Sequence, residues 1–140
     1  MTALQYLKSI EHPQKMQMVA LDKLVRKLVS GARPVLYQNS IIGYGVYEYT
    51  YKTGRTGKWF VFGFAPRKGY VSLYSTAITE NAYLAEEFRK EMGGLKGGKS
   101  CINIKDLHGL EDGALKRLIV TSFKEMKSYC KKQGWPFSLS

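Results

Sequence analysis

The sequence predicts an α+β fold: one two-layer α/β domain on a mostly antiparallel 4-stranded sheet, in the order α-α-β-β-β-α-β-α. Three observations carry that expectation. Apolar residues recur with a helical period at both ends of the chain and give way to β-type runs in the middle. The β-rich runs are joined by short polar turns, "TGRTG" and "RKG", which favour antiparallel neighbours. No repeat, low-complexity run or linker interrupts the 140 residues. Residues 1–130 therefore read as a single domain and 131–140 as a C-terminal tail.

The elements follow in order. "LQYLKSI" predicts a short helix that stops before His12-Pro13, because a residue ahead of proline avoids helical angles. In the next helix Leu21, Leu24, Val25 and Leu28 fall at i, i+3, i+4, i+7. Asp22, Lys23, Arg26 and Lys27 take its other face, and Gly31 and Pro34 end it. "GYGVYEYTYK" predicts the first strand and "KWFVFGFAP" the second, with Trp59, Val61 and Ala65 on one side and Phe60, Phe62 and Phe64 on the other. Apolar on both sides, the second strand is expected at the centre of the sheet with both faces covered. "YVSLYST" is the third strand. A helix over 80–92 follows, with Thr79 as N-cap, Gly93 after its C-terminus, and Leu84 and Phe88 as its contact line. "SCINIKDL" predicts a strand with Ile102 and Ile104 on one face. The last helix runs from about Glu111 to Cys130 on a stripe of Leu115, Leu118, Ile119, Ser122 and Met126, with Phe123 beside it.

Composition narrows the class. The chain is 44% hydrophobic and 24% charged, ordinary values for a globular protein. Its N-terminus has no apolar stretch of signal-peptide length and no later segment reaches a membrane span, so a cytoplasmic location is expected, with no membrane partner. Cys101 and Cys130 stand apart, without a C-x-x-C, and are expected as reduced thiols. The net charge of +11 is spread out: residues 1–34, 35–78, 79–110 and 111–140 carry 6, 5, 5 and 6 basic groups against 2, 1, 5 and 3 acidic ones. That distribution supports affinity for anions without outlining a DNA-binding face.

The stretch "GGLKGGKSCINI" spells G-x-x-x-x-G-K-S from Gly93, the letters of a phosphate-cradling P-loop. A P-loop needs a strand before it and a helix after it, so that the helix N-terminus meets the phosphates. Here the predicted helix precedes the glycines and a strand follows, so the stretch reads as a helix-to-strand turn.

Three motifs in order are family-specific: G-[FY]-G-x-Y-x-Y as Gly43, Tyr44, Gly45, Tyr47 and Tyr49; F-x-P-R-K-x-x-x-x-L-Y as Phe64, Pro66, Arg67, Lys68, Leu73 and Tyr74; and G-K-x-C-x-x-I-K as Gly98, Lys99, Cys101, Ile104 and Lys105. On these the chain resembles the YdhG-like family of small bacterial domains of unknown function, from about Tyr6 to Met126. The resemblance implies helices packed on an antiparallel-rich sheet. Some relatives are described as frataxin-like iron chaperones, a role that depends on exposed acidic clusters. This chain departs from that pattern by being strongly basic, and iron binding stands as the alternative that the resemblance implies.

No catalytic constellation is legible. His12 lies beside a proline and His108 in "KDLHGLEDG", neither next to a nucleophile, and a non-enzymatic role is expected. Asp106, His108, Glu111 and Asp112 form the densest set of potential metal ligands, but acidic groups there also suit the N-terminus of the last helix. No metal or cofactor is expected. The expected site is a basic, aromatic cleft at one end of the sheet, where the 93–99 loop returns beside Arg67 and Lys68. Its ligand-binding residues are Tyr44, Tyr49, Arg67, Lys68, Tyr74, Lys99 and Ser100, and its ligand a small anion or a protein partner. Trp135 and Phe137 in "KKQGWPFSLS" are candidate anchors for a partner or a homodimer. Nonspecific nucleic-acid binding is the rival. Lys52, Arg55 and Lys58 lie about 23 Å from Arg67 and Lys68 along a seven-residue strand, which suits a long backbone poorly.

Overall fold

The computed structural model describes residues 1–79, 82–105 and 112–140. Helix α1 (Ala3–Ser9) opens with a reciprocal capping box between Thr2 and Gln5, and α2 (Lys15–Leu28) follows. Eight strands come next: β1 (Pro34–Tyr37), β2 (Ile41–Tyr44), β3 (Val46–Thr50), β4 (Thr56–Trp59), β5 (Phe62–Arg67), β6 (Tyr70–Ser75), β7 (Ile78–Thr79) and β8 (Ala82–Tyr83). Helix α3 (Leu84–Glu91), strand β9 (Cys101–Ile104), helix α4 (Asp112–Gln133) and strand β10 (Phe137–Ser138) complete the described order.

The strands are antiparallel, and they form three sheets rather than the single four-stranded one expected. The main sheet has the order β1-β2-β5-β6-β9, a second has β10-β3-β4, and β7-β8 is a separate hairpin. Register defines the two faces of the main sheet. Ile42, Phe64, Leu73 and Ile102 stand in one row across it, and all pack in the main core with Met18, Leu21 and Val25 of α2, Leu84 and Phe88 of α3, and Leu118, Ile119 and Phe123 of α4. The adjacent row, Gly43, Gly63, Tyr74 and Cys101, lies on the opposite face.

The extra sheet arises from two breaks at one level. The run expected as strand 44–51 is interrupted at Gly45, whose φ of 76° lies in the left-handed region, and the run 58–66 is interrupted at Phe60 and Val61. The Val61 amide donates to the Tyr44 carbonyl at 3.0 Å, so the breaks face each other. The long hairpin therefore bends as a unit: β2 and β5 stay in the main sheet, while β3 and β4 leave it and take β10 as a third strand. The bend also resets the pleat. Phe60 does not share a face with Phe62 and Phe64, as strict alternation predicts. It packs in a separate cluster with Ile41 and Ala65, over Gly43 and Gly63. A Cβ on Gly43 would come within 2.7 Å of Phe60, so the ring needs glycine beneath it. The far face of β5 is thus covered by the chain's own aromatic residues rather than by a second layer of helices.

Four further expectations change. Thr79 caps no helix; it lies in β7, and its hydroxyl donates to the Ala82 carbonyl at 3.2 Å. Helix α3 starts later, at Leu84, and closes with Gly93 and Gly94 at φ 89° and 75°, the left-handed stop expected of Gly93. Asp22, placed by periodicity on the solvent face of α2, is 4% exposed. Finally, residues 131–140 divide between the last turn of α4 and a return to the sheet. Gly134 (φ 72°) ends the helix, the Trp135 amide donates to the Cys130 carbonyl at 2.9 Å, and Phe137 pairs with Tyr47.

Gly45 cannot be replaced cheaply. A Cβ there would lie 2.8 Å from Phe123 and 2.9 Å from Val61, in a backbone conformation L-residues avoid. Gly45→Ala is expected to cost about 2–4 kcal/mol from the combined backbone and packing strain. Gly54, at φ 84° with open space around it, carries only the backbone cost, and Gly54→Ala should lose about 1 kcal/mol. Urea unfolding followed by circular dichroism checks the ranking; equal losses would remove the packing requirement at the bend.

Candidate functional site

Bending β3 and β4 out of the main sheet leaves a concavity between them and α4. Alternation along β3 sends Tyr47 and Tyr49 to one side, and the Tyr51 ring continues the row just past the strand. The ring centres are 6.2 Å apart between Tyr47 and Tyr49 and 5.1 Å between Tyr49 and Tyr51. Trp59 stands opposite Tyr47 across the β3–β4 pair. From the other wall, Trp135 lies nearly parallel to Tyr47 at 6.3 Å (11° between planes) and meets Tyr129 of α4 edge-on at 5.5 Å. Tyr83 of β8 reaches the same space, and the whole encloses a cavity of about 710 Å³, within the usual size of small-ligand sites.

The charged groups described in this cleft are few. Lys52 and the hydroxyl residues Thr50 and Thr76 line it, and Lys99 Nζ sits 6.0 Å from the centre of the Tyr83 ring at its margin. No carboxylate, histidine or cysteine is among its described lining residues. Glu48 lies between Tyr47 and Tyr49 in sequence, so it points to the opposite side of β3, where it pairs with Lys58 at 3.3 Å. Burial, foremost, raises the Tyr47 phenol above its ordinary pKa, so the ring stays neutral. Chemically the cleft offers ring faces, tyrosine and threonine hydroxyls and lysine ammonium groups, all means of binding.

The seven residues expected to form the site are not brought together. Tyr49 is in the cleft and Lys99 at its edge. Ser100 is adjacent, its carbonyl accepting from the Ser75 amide at 2.9 Å. Arg67 instead bonds the Tyr74 hydroxyl at 2.7 Å and the Pro66 carbonyl at 3.2 Å on the face of the main sheet away from the helices, and Lys68 is exposed in the β5–β6 turn. Tyr74 packs edge-on to Phe60 on that same face, with ring centres 6.2 Å apart. Tyr44 is fully buried, and its hydroxyl donates to Asp22 Oδ1 at 2.5 Å while Arg26 holds Asp22 Oδ2 at 2.7 Å. The reason is topological. Strand β9 runs antiparallel to β6, pairing Cys101 with Tyr74 and Ile104 with Val71. The glycine loop before β9 consequently meets the Ser75 end of β6, about 17 Å from the turn that carries Arg67 and Lys68. An eight-residue α3 is also too short to carry the chain back across the sheet.

Comparison with protein-family models, curated proteins and solved structures gives no match to this chain. No described helix is long and apolar enough to cross a membrane. Among the described residues no three His, Cys, Asp or Glu side chains come together as metal ligands. The candidate ligands Asp106, His108 and Glu111, and the side chain of Asp112, lie outside the described residues. The glycine stretch joins α3 to β9, the helix-to-strand order that argues against a P-loop.

Sequence reasoning missed Tyr47, Tyr51, Lys52, Trp59, Tyr83, Tyr129 and Trp135 as a group. The period-two run Tyr47, Tyr49, Tyr51 is the one local signal of it. The wall from α4 and from Trp135 just before β10 depends on a bend that no local pattern announces.

The buried Tyr44–Asp22 pair has a measurable consequence. Desolvation first, and then the hydrogen bond to Asp22, push the Tyr44 phenol far above its ordinary pKa. The folded chain keeps this proton where the unfolded chain loses it, so the stabilisation is complete below pH 10 and declines as pH rises beyond it. Tyr44→Phe is expected to lose about 1–3 kcal/mol at pH 8 by leaving Asp22 short of a partner. Above pH 10 its stability should fall less steeply than the wild type's, by up to about 1.4 kcal/mol per pH unit. Urea unfolding at pH 8, 10 and 11 checks this; parallel pH profiles would contradict it.

Proposed function

We propose that this chain is a non-enzymatic, cytoplasmic binding protein that holds a small anionic ligand in the aromatic cleft between β3–β4 and α4. The observation that carries the reading is the pairing of many ring faces with lysine and no described carboxylate in one concavity. Aromatic walls by themselves also suit cations. Charge decides between them: Lys52 and Lys99 repel a cation, no acidic side chain is among the described lining residues, and the chain's net charge of +11 favours anions.

The YdhG-like resemblance belongs to the same proposal and rests on its three motifs. The first contributes Tyr47 and Tyr49 to the cleft and the third contributes Lys99 at its edge. Arg67 and Tyr74 of the second pair with each other elsewhere. The protein-partner reading loses the anchors that suggested it, because Trp135 and Phe137 pack against the chain's own core.

A thermal-shift screen against phosphates, carboxylates and quaternary ammonium compounds tests the proposal. An anion at about 100 times its Kd adds ~2.7 kcal/mol, or roughly 8–10 °C in a chain of this length. The Lys52→Ala, Lys99→Ala double variant should lose most of that shift, and Arg67→Ala should keep it. Stabilisation by quaternary ammonium compounds but by no anion would overturn the proposal.

A further inference from the structure

We infer that the anion is part of a nucleotide: a flat base stacks on the tyrosine row of β3 while its phosphate meets the lysines beside it. This rests on the anion-binding reading above and adds the ring. The rings of Tyr47, Tyr49 and Tyr51, tilted 55° and 53° from one to the next, are graded in exposure from the buried Tyr47 to Tyr51 at 56% exposed, so the open Tyr51 ring is the face a base can reach. Its middle ring is held in place from below. Tyr49 lies across its strand partner Gly57, so closely that any Cβ there would collide with the phenol hydroxyl. Gly57 thus lets the Tyr49 ring lie against the backbone, which fixes its orientation without a ligand.

The charge sits at the open end of the row. The Tyr51 amide donates to the Arg55 carbonyl at 2.8 Å and the Gly54 amide to the Tyr51 carbonyl at 2.9 Å. These bonds close the tight turn that carries Lys52 and Arg55, both exposed. Lys99 stands at the Tyr83 side of the same cleft. An exposed lysine facing an anion adds little by itself, whereas stacking a base on one aromatic ring is worth about 5- to 150-fold in affinity. A ligand using this cleft well therefore needs a ring as well as a charge. Free nucleotides and single-stranded nucleic acid share that chemistry.

Both tryptophans of the chain, Trp59 and Trp135, line the cleft, so intrinsic fluorescence reports on it directly. The test titrates the full chain with adenosine monophosphate, adenosine, ribose 5-phosphate and an oligothymidylate. Adenosine monophosphate is expected to change the fluorescence saturably, with adenosine and ribose 5-phosphate each at least about 10-fold weaker. Tyr51→Ala, at an exposed position that folding tolerates, should weaken adenosine monophosphate about 5- to 150-fold and leave ribose 5-phosphate unchanged, and Tyr51→Phe should restore it. Tighter binding of the oligothymidylate assigns the nucleotide to a single strand, and weaker binding assigns it to the free form. Ribose 5-phosphate binding as well as adenosine monophosphate would overturn the ring and leave the anion site standing. Adenosine matching adenosine monophosphate would overturn the phosphate contact. Failure of every anion here and in the thermal screen would overturn both readings.

Discussion

The fold turns on one hydrogen-bonded level of a hairpin, where the Val61 amide meets the Tyr44 carbonyl and Gly45 takes a left-handed conformation. Below that level the two strands belong to a five-stranded sheet with helices on one face. Above it they belong to a small sheet completed by β10. A continuous hairpin would keep Tyr47, Tyr49 and Trp59 on the main sheet, facing whatever layer covers it. The bend instead raises them into a wall opposite α4, and the space between becomes the cleft. The bend also allows Phe60 to change face and lie on Gly43 and Gly63, covering part of the main sheet opposite the core helices.

The elements around the bend reinforce one another. Tyr44, the last residue before it, is anchored through Asp22 to α2, and Phe123 of α4 packs where a side chain on Gly45 would go. Ser75 and Ser122 share a buried hydrogen bond at 2.7 Å that ties the end of β6 to α4. The C-terminal residues close the opposite wall: Pro136 accepts from the Glu48 amide at 3.0 Å, and Trp135 packs against Tyr47 and Tyr129. Buried polar groups paired in this way are costly to separate, which favours one arrangement over its competitors.

Much of the fold was legible because it is local. The helical stripe of α4, the contact line Leu84 and Phe88, the glycine stop at Gly93 and the shared face of Ile102 and Ile104 all follow from periodicity and all are buried or placed accordingly. The misses share a cause. Asp22 reads as a surface charge unless the tyrosine that reaches it from 22 positions away is known. Thr79 reads as an N-cap unless β7 and β8 are seen to pair. The strand break at Phe60 and Val61 lies inside an unbroken apolar run, where alternation carries no mark of a bend. The expected convergence of basic residues fails for a related reason. Arg67, Lys68 and Lys99 are near one another only if the last strand of the main sheet runs parallel to β6, and it runs antiparallel. Tyr49 and Lys99 belong to the neighbourhood of the cleft, and the rest of its wall comes from distant segments.

Chemical-shift mapping on the ¹⁵N-labelled full chain, titrated with adenosine monophosphate, tests most directly whether the bent hairpin carries the binding surface. Saturable shifts are expected at the amides of Tyr49 to Lys52 and at the indole groups of Trp59 and Trp135, with Arg67 and Lys68 unmoved. Shifts centred on Arg67, Lys68 and Tyr74, with the cleft silent, would contradict the account.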